Sequence, residues 1–423
     1  MVLIGGFYNF TIFIIMSYIN NFNVKYADSP NMDAFQRLRV SEGVTLFDSK
    51  FLRDTGSINW NTLITNNATA SFWSSSVLLL ASSSVAAPAS VIRQSRRRFN
   101  YQSGKSNLAI CTANFVAQDV NTIKRVGYFD QNNGVYFVYT GSQFGVGYRN
   151  NGNDIFISQS AWNMDTYNGL GASGNSLNIT ASQIYFTDLE WLGVGRVRWG
   201  IFQGGIPTYV HQLTNINALP YTNPVYIASP NNPIRYELIN SGSVTSSFVQ
   251  ICSTVISEGG IQLTGPTLGV DNGAFPAYVA SGSYNAVLAL QYQTSSFLNE
   301  TIIPQHLSIV CPNTTAILKW SLLLNPNITG SALTYSVVPN STLQYSTCSI
   351  NNTILNEGTK ISSGYTNAYY PEILISYDPS LGIGSSVTGS ISDTLVLAVA
   401  NYTSGSTANT ASIFASITWQ ETI

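Results

Sequence analysis

Strand-length runs rich in Val, Ile, Tyr, Phe and Thr alternate along this chain with clusters of Gly, Asn and Ser. Beyond the first residues no stretch sustains the apolar period of an amphipathic helix, so the pattern predicts an all-β protein. Between Val126 and Ile157, the pairs Asn133-Gly134, Thr140-Gly141 and Asn151-Gly152 supply turns that tolerate positive φ, and the runs between them predict a meander of antiparallel hairpins. A second meander is expected over Ile184–Leu213, turning at Gly204-Gly205. Farther on, Leu318, Trp320 and Leu322 alternate with Lys319 and Ser321 in the period of a half-buried strand, and SIFASITWQETI at the end reads as a last strand. Many strands without intervening helices imply sandwiches or barrels. The expected fold is therefore two antiparallel β-sandwich domains, jelly-roll or concanavalin-like, over residues 34–260 and 261–423, preceded by an apolar leader or arm over residues 1–33. The segment DAFQRLRVSEGVTLFDSKF (Asp33–Phe51) is too charged for a core strand and too apolar for a disordered tail, so it is expected to be an extended arm packed on another surface, such as a neighbouring subunit.

Charge sharpens this division. Hydrophobic residues make up 44% of the 423 residues, but charged ones only 9%, against about 25% in an ordinary soluble domain. Such a surface suits a protein covered by neighbouring subunits or exposed outside a cell. The net charge of −2 offers no general attraction to nucleic acid or anionic membrane. Residues 1–260 hold sixteen Lys and Arg against thirteen Asp and Glu, whereas residues 261–423 hold two against seven, a step that places a domain boundary near Gly259-Gly260. The uncharged first 24 residues lack both the basic start and the small-residue cleavage site of a signal peptide, and Asn9 interrupts a run already short for a membrane span. Anchor, signal and a segment upstream of a working start at Met16 all stay open.

Few residues suggest catalysis. Gly104-Lys105-Ser106 resembles the end of a phosphate loop, but Phe99 stands where the first glycine should be. The Gly193–Gly200 segment GVGRVRWG has Arg198 in place of the third glycine of a dinucleotide fingerprint, so it reads as a sheet bend. The turn at Asp130–Gly134 lacks the acceptor register and closing Glu of a calcium loop. His211 and His306 have no nucleophile elbow, paired-carboxylate motif or HExxH beside them. Neither cofactor nor metal is expected, and the chain is read as not an enzyme. The cysteines lack zinc spacing; Cys311 and Cys348 could bridge in an oxidising compartment, while Cys111 and Cys252 read as buried thiols. Six of the nine Asn-X-Ser/Thr sequons, at Asn299, Asn313, Asn327, Asn340, Asn351 and Asn401, fall in the acidic C-terminal half and are candidate glycosylation sites.

The stretch VIRQSRRRFNYQSGKS (Val91–Ser106) carries five of the eighteen basic residues. Read as a strand, it splits them between faces, Arg96 and Arg98 on one and Arg93 and Arg97 on the other, which is unsuited to a nucleic-acid groove. Arg97, flanked by Phe99 and Tyr101, is expected to be a buried guanidinium paired with Asp188 or Glu190, which share a strand face in TDLEW. Pairing across a subunit interface and contact with nucleic acid are the competing readings of this stretch.

Asp33–Phe51, Val91–Ser106, VGYFDQNNGVYF (Val126–Phe137), DLEWLGVGRVRWG (Asp188–Gly200), ICSTVISEGG (Ile251–Gly260), KWSLLLNPNITG (Lys319–Gly330), ISSGY, ISDTLVLAVA and the terminal TWQE occur in this order. Together they resemble a family of virion structural proteins of tailed phages and large DNA viruses. That resemblance implies a non-enzymatic capsid-associated, spike or fibre subunit, assembling with itself and other virion proteins and located in the particle. It begins near Asp33, so the leader has no counterpart, and the alternative location is secreted or surface-anchored. By pattern alone the hairpins also resemble concanavalin-like lectin and laminin-G sandwiches. The alternative function is accordingly a carbohydrate-binding adhesin or receptor-binding protein taking host glycans, with Trp162, Tyr167 and Trp199 as the candidate stacking residues.

Overall fold

The computed structural model describes residues 42–422 apart from 83–86, 117–118, 217–224, 261, 263, 274–276, 281, 294–299, 313–315, 349–350, 368–371, 375–382 and 403–409. The apolar leader lies outside the described residues. Residues 43–423 form one compact unit. Its regular structure is almost entirely β, with every strand pairing among the described residues antiparallel. No described helix is long and apolar enough to cross a membrane.

Among the described residues there are four sheets, and none mixes strands from both sides of Gly260. The first sheet runs in the order Ile206–Thr214, Arg196–Gln203, Gln183–Glu190, Asn107–Asn114, Ser246–Ser257, Val77–Ala81 and Ala68–Phe72. The second runs Asn153–Ser158, Phe144–Asn150, Gly134–Tyr139, Thr122–Phe129, Ile234–Asn240, Ala89–Ser95 and Trp60–Thr65. Here the expected meander is present, with Gly134, Gly141, Asn151 and Gly152 all at positive φ in its turns. Inward residues of these two sheets interdigitate in one aromatic-rich core that includes Phe115, Tyr128, Phe137, Phe144, Tyr185, Trp199 and Tyr236. Beyond Gly260, the thirteen-residue strand Thr410–Thr422 pairs with Thr301–Val310 in the third sheet, and Leu395–Asn401 lies between Asn285–Tyr292 and Leu318–Leu324 in the fourth. Their core is a separate cluster, mostly aliphatic and closed by Trp320 and Trp419.

Several expectations change at this level. Val44–Lys50, read as part of an arm, is a strand of the first sheet paired with Ser246–Ser257; Leu46, Phe47 and Phe51 are buried in the core, and their burial fixes the segment there. The Val91–Ser106 stretch is a strand only as far as Ser95, after which a bend sends each arginine elsewhere. Arg93 is buried against Phe51 and Trp60, Arg96 lies 3.6 Å from Asp393, Arg97 donates to the Leu46 carbonyl oxygen at 2.9 Å, and Arg98 pairs with Asp130 at 2.6 Å. Lys105 sits in a turn closed by its own N–H on the Gln102 carbonyl oxygen, its Nζ 2.7 Å from Gln102 Oε1. Cys311 and Cys348 are buried free thiols, so no disulfide links them. Burial pushes the Cys348 thiol up to about 12, which keeps it protonated and unreactive. Of the sequons, Asn327, Asn340 and Asn351 are exposed, Asn401 is buried at a strand end, and Asn299 and Asn313 lie outside the described residues.

Candidate functional site

Asp188 and Glu190 stand on Gln183–Glu190, a central strand of the first sheet. Tyr185, Thr187 and Leu189 of that strand face the core, so by the two-residue period Phe186, Asp188 and Glu190 face outward. The neighbouring strand, reached through a turn closed by Gly195 N–H on the Trp191 carbonyl oxygen, sets Arg198 directly across from Asp188 and Arg196 across from Glu190. Both pairs form. Arg198 Nη2 bonds Asp188 Oδ2, and Arg196 Nη2 lies 3.2 Å from Glu190 Oε1. Arg97 therefore has neither acid as its partner. The alternation places these pairs one after another across a single hairpin, whereas Arg97 leaves its own strand two residues too early to follow them.

Tyr209, on the third strand of this face, completes the row. Its ring lies 4.1 Å under the Arg198 guanidinium, and its hydroxyl donates to Asp188 Oδ2 at 3.3 Å. Burial, with the Asp188 charge beside it, pushes the Tyr209 phenol up to about 12, so it remains a donor. Phe186 continues the row with its ring 4.8 Å from that of Phe202 and 5.3 Å from that of Tyr209. Gly200 makes this possible, since a Cβ there would come within 2.1 Å of the Phe186 ring.

Glu258 closes the other end of the row, just beyond Ser246–Ser257. Partial burial raises its carboxyl above the usual range, and the charges of Asp188 and Glu190 raise it further against a Ser106 hydroxyl donating to it and the Arg198 charge. The residue still presents much of its surface to solvent, so the shift belongs to a reachable acid rather than a sealed one. The outer face thus offers two carboxylate–guanidinium pairs, a phenol donor, the Phe186 and Phe202 rings and the exposed carboxyl of Glu258.

The expected stacking residues are elsewhere. Trp162 (5% exposed), Tyr167 and Trp199 (both 0%) belong to the core and present no ring face to a ligand. Trp199 is the inward neighbour of outward Arg198, which is the physical reason. Sequence reasoning also missed Arg198, Arg196 and Tyr209. For the two arginines a signal existed: they lie as far after the Trp191–Gly195 turn as Asp188 and Glu190 lie before it, the mark of directly opposed hairpin partners.

No protein family matches the chain, and no curated protein is similar to it. Solved structures that it resembles include a putative beta-glucanase from Mycobacterium abscessus (10% identity, TM-score 0.36, 50% of this chain and 100% of that one). Others are a beta-1,3-glucanase from Mycobacterium marinum (11%, TM-score 0.36, 50% and 98%) and the Bacillus licheniformis beta-glucanase (12%, TM-score 0.31, 49% and 97%). These structures, like the others of highest similarity, carry glycoside-hydrolase names. This overturns the resemblance to phage and large-virus structural proteins. With it go the non-enzymatic virion role, the virion partners and self-assembly, and the particle location. At these identities and scores the likeness carries no activity over to this chain.

Proposed function

We propose that the chain binds carbohydrate on the outer face of its first sheet. The observation that carries this reading is the row itself: ring surface at Phe202 and Tyr209 beside planar groups already paired, Arg198 with Asp188 and Arg196 with Glu190. Sugars are recognised by apolar ring faces together with a few fixed polar groups that can both donate and accept. Pairing each guanidinium removes net charge from the face while keeping its donors fixed in place. Asp188, 3% exposed, acts as a positioning residue, and the partly exposed Glu190, Arg196, Arg198 and Tyr209 are the groups in reach of a ligand. Calorimetric titration with neutral oligosaccharides tests this. Tyr209→Ala, with wild-type thermal stability as the folding control, is expected to weaken binding at least tenfold, and unchanged affinity would overturn the assignment.

One observation favours a second reading, hydrolysis of the bound sugar. Glu258, its carboxyl raised by burial, stands at the end of a row holding two further acids, and two carboxyl groups flanking a bond are what glycosidic cleavage requires. Release of reducing ends from a bound polysaccharide, abolished in Glu258→Gln while binding persists, supports it; binding without any cleavage leaves the binding role alone. As to organisation, the two sheet pairs and their separate main cores support reading the described residues of 34–260 and of 261–423 as two sandwiches.

A further inference from the structure

A cavity among the described residues lies away from the outer face. It lies at the far edge of the second sheet, about 330 Å³ in volume, lined by Gln143, Phe144, Ser158, Gln159, Ser160, Thr166 and Asn168. No lining residue is ionisable. Every polar group there is an amide or a hydroxyl, which can donate and accept, and the one aromatic ring, Phe144, is held edge-on by Phe115. We infer that this cavity is a separate binding site for a neutral polyhydroxylated ligand, a single hexose unit of a saccharide chain.

The cavity is a built feature. Its floor depends on Tyr167, a fully buried aromatic residue at φ 51°, in the left-handed region that residues other than glycine seldom occupy. Asp165, itself buried, holds that conformation: its Oδ1 accepts from the Tyr167 N–H at 2.8 Å and its Oδ2 from the Ser173 N–H at 2.7 Å. Thr166 and Asn168, on either side of Tyr167, are thereby presented to the cavity. Gln159 ties the same loop down, its Nε2 donating to the Thr166 and Tyr167 carbonyl oxygens at 3.0 and 3.2 Å. The strain at Tyr167 thus sets two polar side chains of the lining, which fits the clustering of such strain at binding sites.

Hydrogen-bonding capacity remains where a ligand would meet it. Both Gln159 donations use its nitrogen, leaving Oε1 as an acceptor. Asn168 accepts through Oδ1 from Thr166 Oγ1 and the Leu170 N–H, leaving Nδ2 as a donor. The Ser158 and Ser160 hydroxyls bond each other at 3.0 Å, a bond that uses only one of their two protons. An acceptor, an amide donor and a hydroxyl pair around a cavity of this size, with no charge, complement adjacent hydroxyls of a sugar ring. A charged ligand would find no counter-ion there.

The inference shares with the proposed function only the chemical class of its ligand. Neutral gluco-, manno- and xylo-oligosaccharides of two to six units, titrated into the full chain and followed by calorimetry, are the probe. Ser160→Tyr fills the cavity from its exposed rim, and Gln143→Ala removes a lining amide, neither touching the core. For at least one sugar, Ser160→Tyr is expected to weaken affinity at least tenfold and Gln143→Ala about threefold, with Tyr209→Ala unchanged for that sugar. If every sugar that binds is lost on Tyr209→Ala and unaffected by Ser160→Tyr, the cavity site is overturned and the outer-face site stands. If no sugar binds, both fall.

Discussion

The outer faces of the first and second sheets carry the same chemistry to opposite ends. On the second sheet, Glu237 is the hub. Arg235 Nε lies 2.7 Å from it, Arg125 Nη1 2.9 Å and Arg149 Nη1 3.8 Å; Arg125 and Arg149 also bind Asp154 at 2.7 and 2.6 Å. Arg235 goes on to Gln94 and to the Val387 carbonyl oxygen, and Gln131 to that of Thr388, so a segment from beyond Gly260 covers the network. Arg149 also lies 5.5 Å from the Phe129 ring centre and 5.8 Å from that of Tyr136. On the first sheet, the Arg196–Glu190 pair keeps 30% and 43% of its side-chain surface exposed, against 5% and 3% for Arg235 and Glu237. The pairs of the second sheet are sealed by protein, whereas the Arg196–Glu190 pair is open to solvent on the face proposed to meet a ligand. The arginine content of the sequence could not separate the two, because the covering segment decides.

The largest expected break falls on the sealed side. Glu237→Ala takes from buried Arg235 the carboxylate it pairs with, and from Arg125 and Arg149 one of two, and is expected to cost about 3–5 kcal/mol, read as a lower urea midpoint at unchanged slope. Next, Asp188→Asn removes the anchor of Arg198 on the open face; a stability loss of about 1–3 kcal/mol is expected, with saccharide affinity falling at least tenfold. If its destabilisation equals that of Glu237→Ala, the distinction between sealed and open faces fails.

The two faces are also expected to answer pH with opposite signs. Burial alone would raise Glu237, Asp130 and Asp154, but the neighbouring arginines hold all three below the ordinary carboxylate range. Their contribution is present above the unfolded values near about 4 and lost as pH falls through the lower folded values. Glu258 is raised, so its ionised form is disfavoured in the fold, and its effect is a loss of stability as pH rises from its unfolded value through its folded one. Glu258→Gln should therefore leave the acid limb of a pH-dependent urea titration intact and flatten the slope above it. The smallest effect belongs to Arg96→Ala, whose 3.6 Å pair with Asp393 is partly exposed: a change within about 1 kcal/mol is expected, and a larger one would show that this contact does more than an exposed pair can.

Strand content and the Val126–Ile157 meander were legible in the sequence because they depend on neighbours a few residues apart. Side-chain alternation put Asp188 and Glu190 on one face correctly, yet the same rule failed for Arg96–Arg98, since the strand ends at Ser95 and alternation ends with it. Trp162, Tyr167 and Trp199 drew attention as aromatics, but aromatic residues serve cores as readily as ligands, and only the direction each strand faces tells them apart.

By itself, then, the sequence determined the β class, the turns and which side chains share a strand face, because backbone preference and the two-residue period act locally. Tertiary structure alone decided which arginine meets which acid, that Val44–Lys50 joins a sheet, and that one charged face is covered while the other stays open. Those outcomes depend on strand order and on contacts between residues far apart in sequence, such as Arg235 and Val387, which no local pattern encodes.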